Sequence, residues 1–266
     1  MPRSNSTKLH PLLWRLLGVA VFLAVWQVAA TLVQSSLILP QPWEAVSALV
    51  HLLAKAAFWL SVAGTFLRVL EAFFLSLCVG LASGALSGFR PQVKAFMNPF
   101  ITGVRATPVL ALILLAMFWF PSTQVPVFSA VLMAFPVIYT STEAGIHATD
   151  QKLVQMSNLF HVPKSTIFWR LRLPSALPYL LSGAKNALGL SWKVIVAGEV
   201  LAQPRMALGT GMQDARLTLE TPTVFAWAIT TILLCGLSEY FFGILARRLS
   251  IQFQPPQDES KERGGQ

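Results

Sequence analysis

Charge is what this 266-residue sequence lacks most: 12% of its residues are Asp, Glu, Lys or Arg, while 55% are hydrophobic. A water-soluble domain typically carries about 25% charged residues. Half that density, combined with long apolar runs, points to lipid as the main solvent. Histidine is scarce too, with His10, His51, His147 and His161 the complete set. None makes an H-E-x-x-H or other metal-binding spacing, and none lies inside an expected span, so no metal site is expected. The G-x-S-x-G elbow of a hydrolase is absent, and no catalytic residue is expected. There is no G-x-x-x-x-G-K-[ST] phosphate loop, so ATP chemistry would have to come from another chain. The two cysteines, Cys78 and Cys235, lie within apolar runs and read as small packing residues rather than a disulfide. Acidic residues number 11 against 20 basic ones, giving a net charge of +9. The basic residues are spread over short loops instead of forming one patch, which speaks against nucleic acid and for membrane flanks.

What the sequence does have is a series of apolar stretches near the roughly 20 residues needed to cross a bilayer. They cover about 12–33, 62–88, 97–118, 125–141, 178–201 and 223–245. The expected fold class is an all-α membrane protein with about six transmembrane helices. The first stretch follows Arg3, Lys8 and Arg15. It exceeds the roughly 7–15 apolar residues of a cleavable signal, so a retained span is expected. With the N-terminus inside, thirteen Lys and Arg fall in inner segments and three, Lys55, Arg205 and Arg216, in outer ones. That bias predicts both termini in the cytoplasm. The chain then divides into a cytoplasmic tail at 1–11, a membrane domain at 12–250 and a polar, disordered tail at 251–266. Arg68, Arg105, Lys185 and Lys193 remain at or near membrane depth. Such residues are functional candidates by default, and Arg105, Lys193 and Glu199 are the candidates for a solute pathway.

Small residues recur in the second span: Ala72, Ser76, Gly80, Gly84 and Gly88 stand four apart. On a helix they form one face that lets another backbone approach closely. Gly183, Ala187 and Ser191 repeat the pattern in the fifth span. From these residues alone the partner helix is equally well in this chain or in a second copy. Outside, Glu44 to Leu53 reads as a short surface helix after Pro40 and Pro42.

The longest inner loop, about 142–177, has helical logic of its own. Asp150 is suited to cap a helix. Leu153, Val154, Met156 and Phe160 follow at roughly helical spacing. His161-Val162-Pro163 interrupts the run. A second helix starts with Pro163 in its first turn, carries Lys164, Ile167, Phe168, Arg170 and Arg172, and is expected to stop at Leu173-Pro174. Such a pair suits docking on a soluble partner or lying on the lipid surface, and physics alone does not separate the two.

The loop resembles the E-A-A loop of binding-protein-dependent ABC permeases, whose pattern is E-A-A, three residues, G, nine residues, I-x-L-P. Leu171-Arg172-Leu173-Pro174 matches its end. Other stretches are similar to nitrate/sulfonate/taurine-type permeases: Leu39-Pro40-Gln41-Pro42, Thr65 to Leu70, Asp150, Glu199, Gly209, Asp214-Ala215-Arg216 and Val224-Phe225-Ala226. The resemblance covers about residues 37–250. It implies a type I ABC importer permease fold and no cofactor in this chain. The implied partners are an ABC ATPase that binds the ATP, an extracytoplasmic substrate-binding protein, a second permease copy in a homodimer, and membrane lipid. It also implies that Asp150, Gln155, Met156, Ser157, Leu159, Phe160, His161, Val162 and Pro163 form the ATPase-coupling loop. Gln155-Met156-Ser157 stands where the family has E-A-A, and His161 where it has glycine. The turn at His161 is therefore expected to be reshaped, with a contact between His161 and the partner as the alternative. The implied function is the membrane pathway for a small solute: relatives of this type handle nitrate, sulfonates, taurine, bicarbonate or pyrimidine vitamin precursors, and the cations at membrane depth favour an anion while Glu71, Glu199 and Glu239 weigh against one. A secondary transporter or channel working without ATP is the alternative.

Overall fold

The computed structural model describes residues 11–253. The helices are α1 (Pro11–Val33), α2 (Pro42–Leu53), α3 (Ala56–Phe89), α4 (Pro91–Ala106), α5 (Val109–Ala116), α6 (Val125–His147), α7 (Gln151–Leu159), α8 (Lys164–Ile167), α9 (Leu173–Ala202), α10 (Leu208–Leu217) and α11 (Thr221–Phe253). A π-helical turn, Phe168–Arg172, joins α8 to α9. No strand occurs among the described residues, as the all-α expectation requires. The tails expected at 1–11 and 251–266 lie outside the described residues, except that Pro11 begins α1 and 251–253 end α11.

Four helical segments are long and apolar enough to cross a membrane: Leu13–Val33, Ala56–Phe89, Val125–His147 and Thr221–Ser250. The pair α4–α5 makes a fifth if it counts as one span, but it is bent by 98°. Of the six expected spans, 97–118 needs correction, while 178–201 is helical as expected but falls short of that apolarity. The stretch at 97–118 is not one helix, because Thr107 precedes Pro108 and is pushed to ψ 127°. Pro108 itself is extended at ψ 130° before α5 begins. The stretch at 178–201 is helical within α9, yet it is not apolar enough to qualify by itself. It carries Lys185, Lys193 and Glu199, and its packing face is built from Gly, Ala and Ser, which add little hydropathy.

The chain divides into two compact units. The first comprises α1, α2, the start of α3 and Gly211–Thr230. In it the Trp26 indole stacks on Phe225 with ring centroids 5.4 Å apart. The same indole N–H donates to the Pro40 carbonyl at 3.0 Å. Phe58 and Trp227 meet at 5.1 Å. The Gln41 backbone N–H donates to the Glu44 carboxylate at 2.8 Å and caps α2, which starts at Pro42, two residues before the expected Glu44.

The second unit comprises Leu60–Thr210 and the rest of α11, with α6 at its centre. The small face of α3 packs on α6, so its partner is in the same chain. A methyl group placed on Gly80 would lie 2.7 Å from Ile138 Cβ, and one on Gly84 2.7 Å from Thr142 Cβ and from the Tyr139 carbonyl. Gly88 meets Ile146 in the same way. Ser76 is buried and donates to the Ala72 carbonyl at 2.7 Å, which keeps its hydroxyl from protruding. The α9 face uses the same device at Gly183, against Ser141, and at Gly198, against Pro126. Ala134, Ile138 and Ala187 form the dry centre, with Leu77, Leu81 and Val137 around them. Close backbone approach maximises dispersion contact where lipid supplies no hydrophobic drive between helices.

Candidate functional site

Two places in the second unit concentrate functional candidates: the connection between α6 and α9, and a buried polar node at the end of α9.

The connection is ordered at both ends of α7. The Asp150 carboxylate accepts the Lys152 N–H at 2.8 Å and caps the helix. At the other end, the His161 N–H donates to the Asn158 carbonyl at 3.1 Å and the Val162 N–H to the Ser157 carbonyl at 3.0 Å. These two bonds, with His161 at φ 55°, make a Schellman C-cap. The expected reshaping of this turn therefore does not occur. Histidine adopts the left-handed conformation that glycine adopts freely, at a cost of roughly 1–2 kcal/mol. Pro163 stands just before α8 rather than inside its first turn. Gln155 is exposed, and Ser157 spends its hydroxyl on the Leu153 carbonyl at 2.8 Å.

The apolar positions of α7 divide between two faces. Val154 is buried, as is Ile167 of α8. Leu153, Met156, Leu159 and Phe160 are exposed, the last two at 78% and 76%. Spacing of three or four residues puts these side chains on one outward side of the short helix.

The helix beginning at Lys164 does not stop at Leu173-Pro174, contrary to expectation. It runs into α9 through the π-turn, where the Leu173 N–H reaches the Phe168 carbonyl five residues back. Pro174 has no N–H, and its ring would press on the carbonyl four residues before it. One widened turn moves that carbonyl aside and lets the helix continue.

The second place surrounds Glu199, which is fully buried. Thr65 Oγ1 donates to the carboxylate at 2.9 Å, Arg68 Nη1 at 2.8 Å and the Gly209 N–H at 3.1 Å. Arg68 also donates to the carbonyls of Arg205 at 2.9 Å and Met206 at 3.1 Å. The Leu208 N–H donates to Thr65 Oγ1 at 2.9 Å. The node ties α3, α9 and the start of α10 together and holds the segment 203–207, where Gln203 and Met206 have φ 49° and 52°. Glu199, expected from the sequence as a pathway candidate, is held here by three donors of this chain and shielded from solvent. The signal for this node was present in Thr65 and Arg68, one turn apart, but a partner 131 positions away along the chain is invisible to spacing.

Arg105 is exposed at the end of α4, and Lys193 is exposed on α9. No ion pair among the described residues joins either of them to Glu199. One turn before Lys193, Gly189 gives room to the Glu239 carboxylate, which a methyl placed there would strike. An ion pair between Lys94 and Glu143 links α4 to α6 and was not anticipated.

The chain is 29% identical to the taurine transport system permease protein TauC of Escherichia coli K12 over 239 residues, covering 87% of this chain and 86% of that protein. It is 30% identical over 236 residues to SsuC of Bacillus subtilis 168, a permease assigned to aliphatic sulfonate transport, covering 88% and 85%. It is 28% identical over 219 residues to the bicarbonate transport system permease protein CmpB of Synechococcus elongatus, covering 78% of each. Its fold is similar to that in the crystal structure of an amino acid ABC transporter, with a TM-score of 0.56 at 18% identity, over 73% of this chain and 94% of that one. For the inward-facing MetNI methionine ABC transporter the TM-score is 0.52 at 19% identity, over 74% and 94%. Residues 76–251, which include the connection between α6 and α9 and the Glu199 and Gly209 side of the polar node, match the family model for binding-protein-dependent transport system inner membrane components. The chain belongs to that family, and it is an inner-membrane permease of the ABC importer type.

Proposed function

We propose that this permease forms the membrane pathway for a small anionic or zwitterionic solute and takes its energy from a separate ABC ATPase through residues 150–174. A substrate-binding protein delivers the solute from outside, and a second copy of the chain completes the pathway as a homodimer. Both termini face the cytoplasm, lipid surrounds the outer helices, residues 12–250 form the working domain, and no residue of the chain acts in catalysis. The observation that carries this reading is the exposed apolar row Leu153, Met156, Leu159 and Phe160, presented on a helix capped at both ends. An ordered apolar row outside the packed core is suited to fill a groove on a partner. The relatives named for taurine, aliphatic sulfonates and bicarbonate support the solute class, since each of these is small and carries negative charge.

The test is a Leu159→Ala/Phe160→Ala variant of the full complex in proteoliposomes. Two large side chains at a hydrophobic contact are worth roughly 1.5–3 kcal/mol each, so ATPase affinity falls by at least tenfold and transport with it. The permease itself still inserts and folds, because neither side chain is packed in its core. Normal assembly and normal ATP-driven transport in this variant would remove the coupling role from α7.

A further inference from the structure

Two cavities meet at Phe168 and Arg172. The outer one, about 420 Å³, lies between α7 and α8 and is lined by Asn158, Lys164 and Arg172 among others. The inner one, about 170 Å³, is apolar and runs between the ends of α3 and α6 and the start of α9, against Leu81, Phe89, Ile146 and Leu180. Neither Lys164 nor Arg172 has a carboxylate partner among the described residues. Arg172 is half-buried, with its guanidinium 5.3 Å from the centroid of the Phe89 ring. That contact engages its face and leaves its N–H edge for an anion. Phe89 and Phe168 present exposed apolar rings at the junction, and Trp169, exposed beside them, is of the amphipathic type that collects where a membrane meets water.

We propose that this paired cavity is a binding site for an anionic phospholipid. The phosphate of the headgroup lies between Lys164 and Arg172, and an acyl chain enters the apolar cleft beside Phe89. Charge complementarity selects an anion, and the adjoining cleft selects one with a hydrocarbon tail. A free phosphate would leave the cleft empty, and so would an acidic segment of the ATPase. Basic pockets between membrane helices recognise lipid headgroups by the same physics. The proposal does not rest on the coupling role of α7, because lipid retention is read without ATP turnover.

The test is native mass spectrometry of the purified permease–ATPase complex, delipidated in detergent and offered phosphatidylglycerol or phosphatidylcholine. Wild-type protein is expected to retain phosphatidylglycerol in preference, and 10 mM-scale inorganic phosphate, on the order of ordinary buffer concentrations, is expected not to displace it. Lys164→Gln/Arg172→Gln weakens that retention by roughly 30-fold, the loss of two charges near the surface. Leu180→Trp fills the cleft and weakens retention with both charges in place. If the double variant does not assemble, Lys164→Gln alone is compared with Lys164→Arg, and only the former is expected to lose lipid. Equal retention of the two lipids, displacement by inorganic phosphate, or unchanged retention in the charge and cleft variants overturns the proposal. Loss of ATPase affinity in the charge variants with lipid retention intact overturns it in favour of a protein contact.

Discussion

Glu199 shows how one residue changes meaning with its surroundings. A carboxylate near the end of a membrane helix reads as a pathway group, yet here it accepts from Thr65, Arg68 and Gly209 and sees no solvent. Removing one member of a buried pair leaves the other charge uncompensated. Because Arg68 is partly exposed and keeps its bonds to the Arg205 and Met206 carbonyls, Glu199→Gln is expected to destabilise the purified permease by roughly 1.5–3 kcal/mol, read as a lower thermal midpoint. An unchanged midpoint would mean that the node does not hold the segment 203–207. His161 makes the converse point. The departure from glycine was visible in the sequence, but the direction of its effect was not. Two backbone hydrogen bonds and continuation into α8 outweigh the penalty of a left-handed histidine, so the turn keeps its shape.

Among the elements, α3 and α9 were legible as small-faced helices because a four-residue repeat of Gly, Ala and Ser is a local pattern. Their common partner was not legible, since α6 has no comparable stripe and offers Ile138, Thr142 and Ile146 as the knobs. Gly84→Leu is expected to cost about 1–3 kcal/mol or more through clash with Thr142 and the Tyr139 carbonyl. Gly103→Ala and Gly236→Ala have open space around the added methyl and should be neutral or stabilising by roughly 0.5–1 kcal/mol. Similar midpoints for all three variants would argue against tight α3–α6 packing. The break at Thr107-Pro108 and the continuity through Pro174 form a second contrast. Proline predicts a boundary in both places, and only the first is one. In the second, the π-turn accommodates the missing N–H within a single helix.

At the scale of the whole molecule, exposure is informative. Only 6% of the most apolar windows of α1 and α11 is buried within the chain, against 56% for α6. Apolar helices left that bare are suited to lipid and to partner subunits. Lys193 is exposed on α9, one turn from the Gly189 position that the Glu239 carboxylate approaches, and a cation at membrane depth is costly unless it meets water, an anion or solute. Lys193→Ala is expected to lower transport of an anionic solute by roughly tenfold or more, the worth of a charged hydrogen bond, with complex assembly unchanged. Full transport by an assembled Lys193→Ala complex would remove it from the pathway. By itself, the sequence determined the solvent, the helical class, the family resemblance and the position of the α7–α8 loop. All of these follow from composition, local periodicity and motifs in order along the chain. Only the tertiary structure decided that the small faces close on α6, that Glu199 is clamped by Arg68, that the third apolar stretch is bent, and that Lys164 and Arg172 share a cavity with an apolar cleft. Each of these depends on groups brought together from distant positions or on how a backbone distributes strain, and neither is written in local spacing.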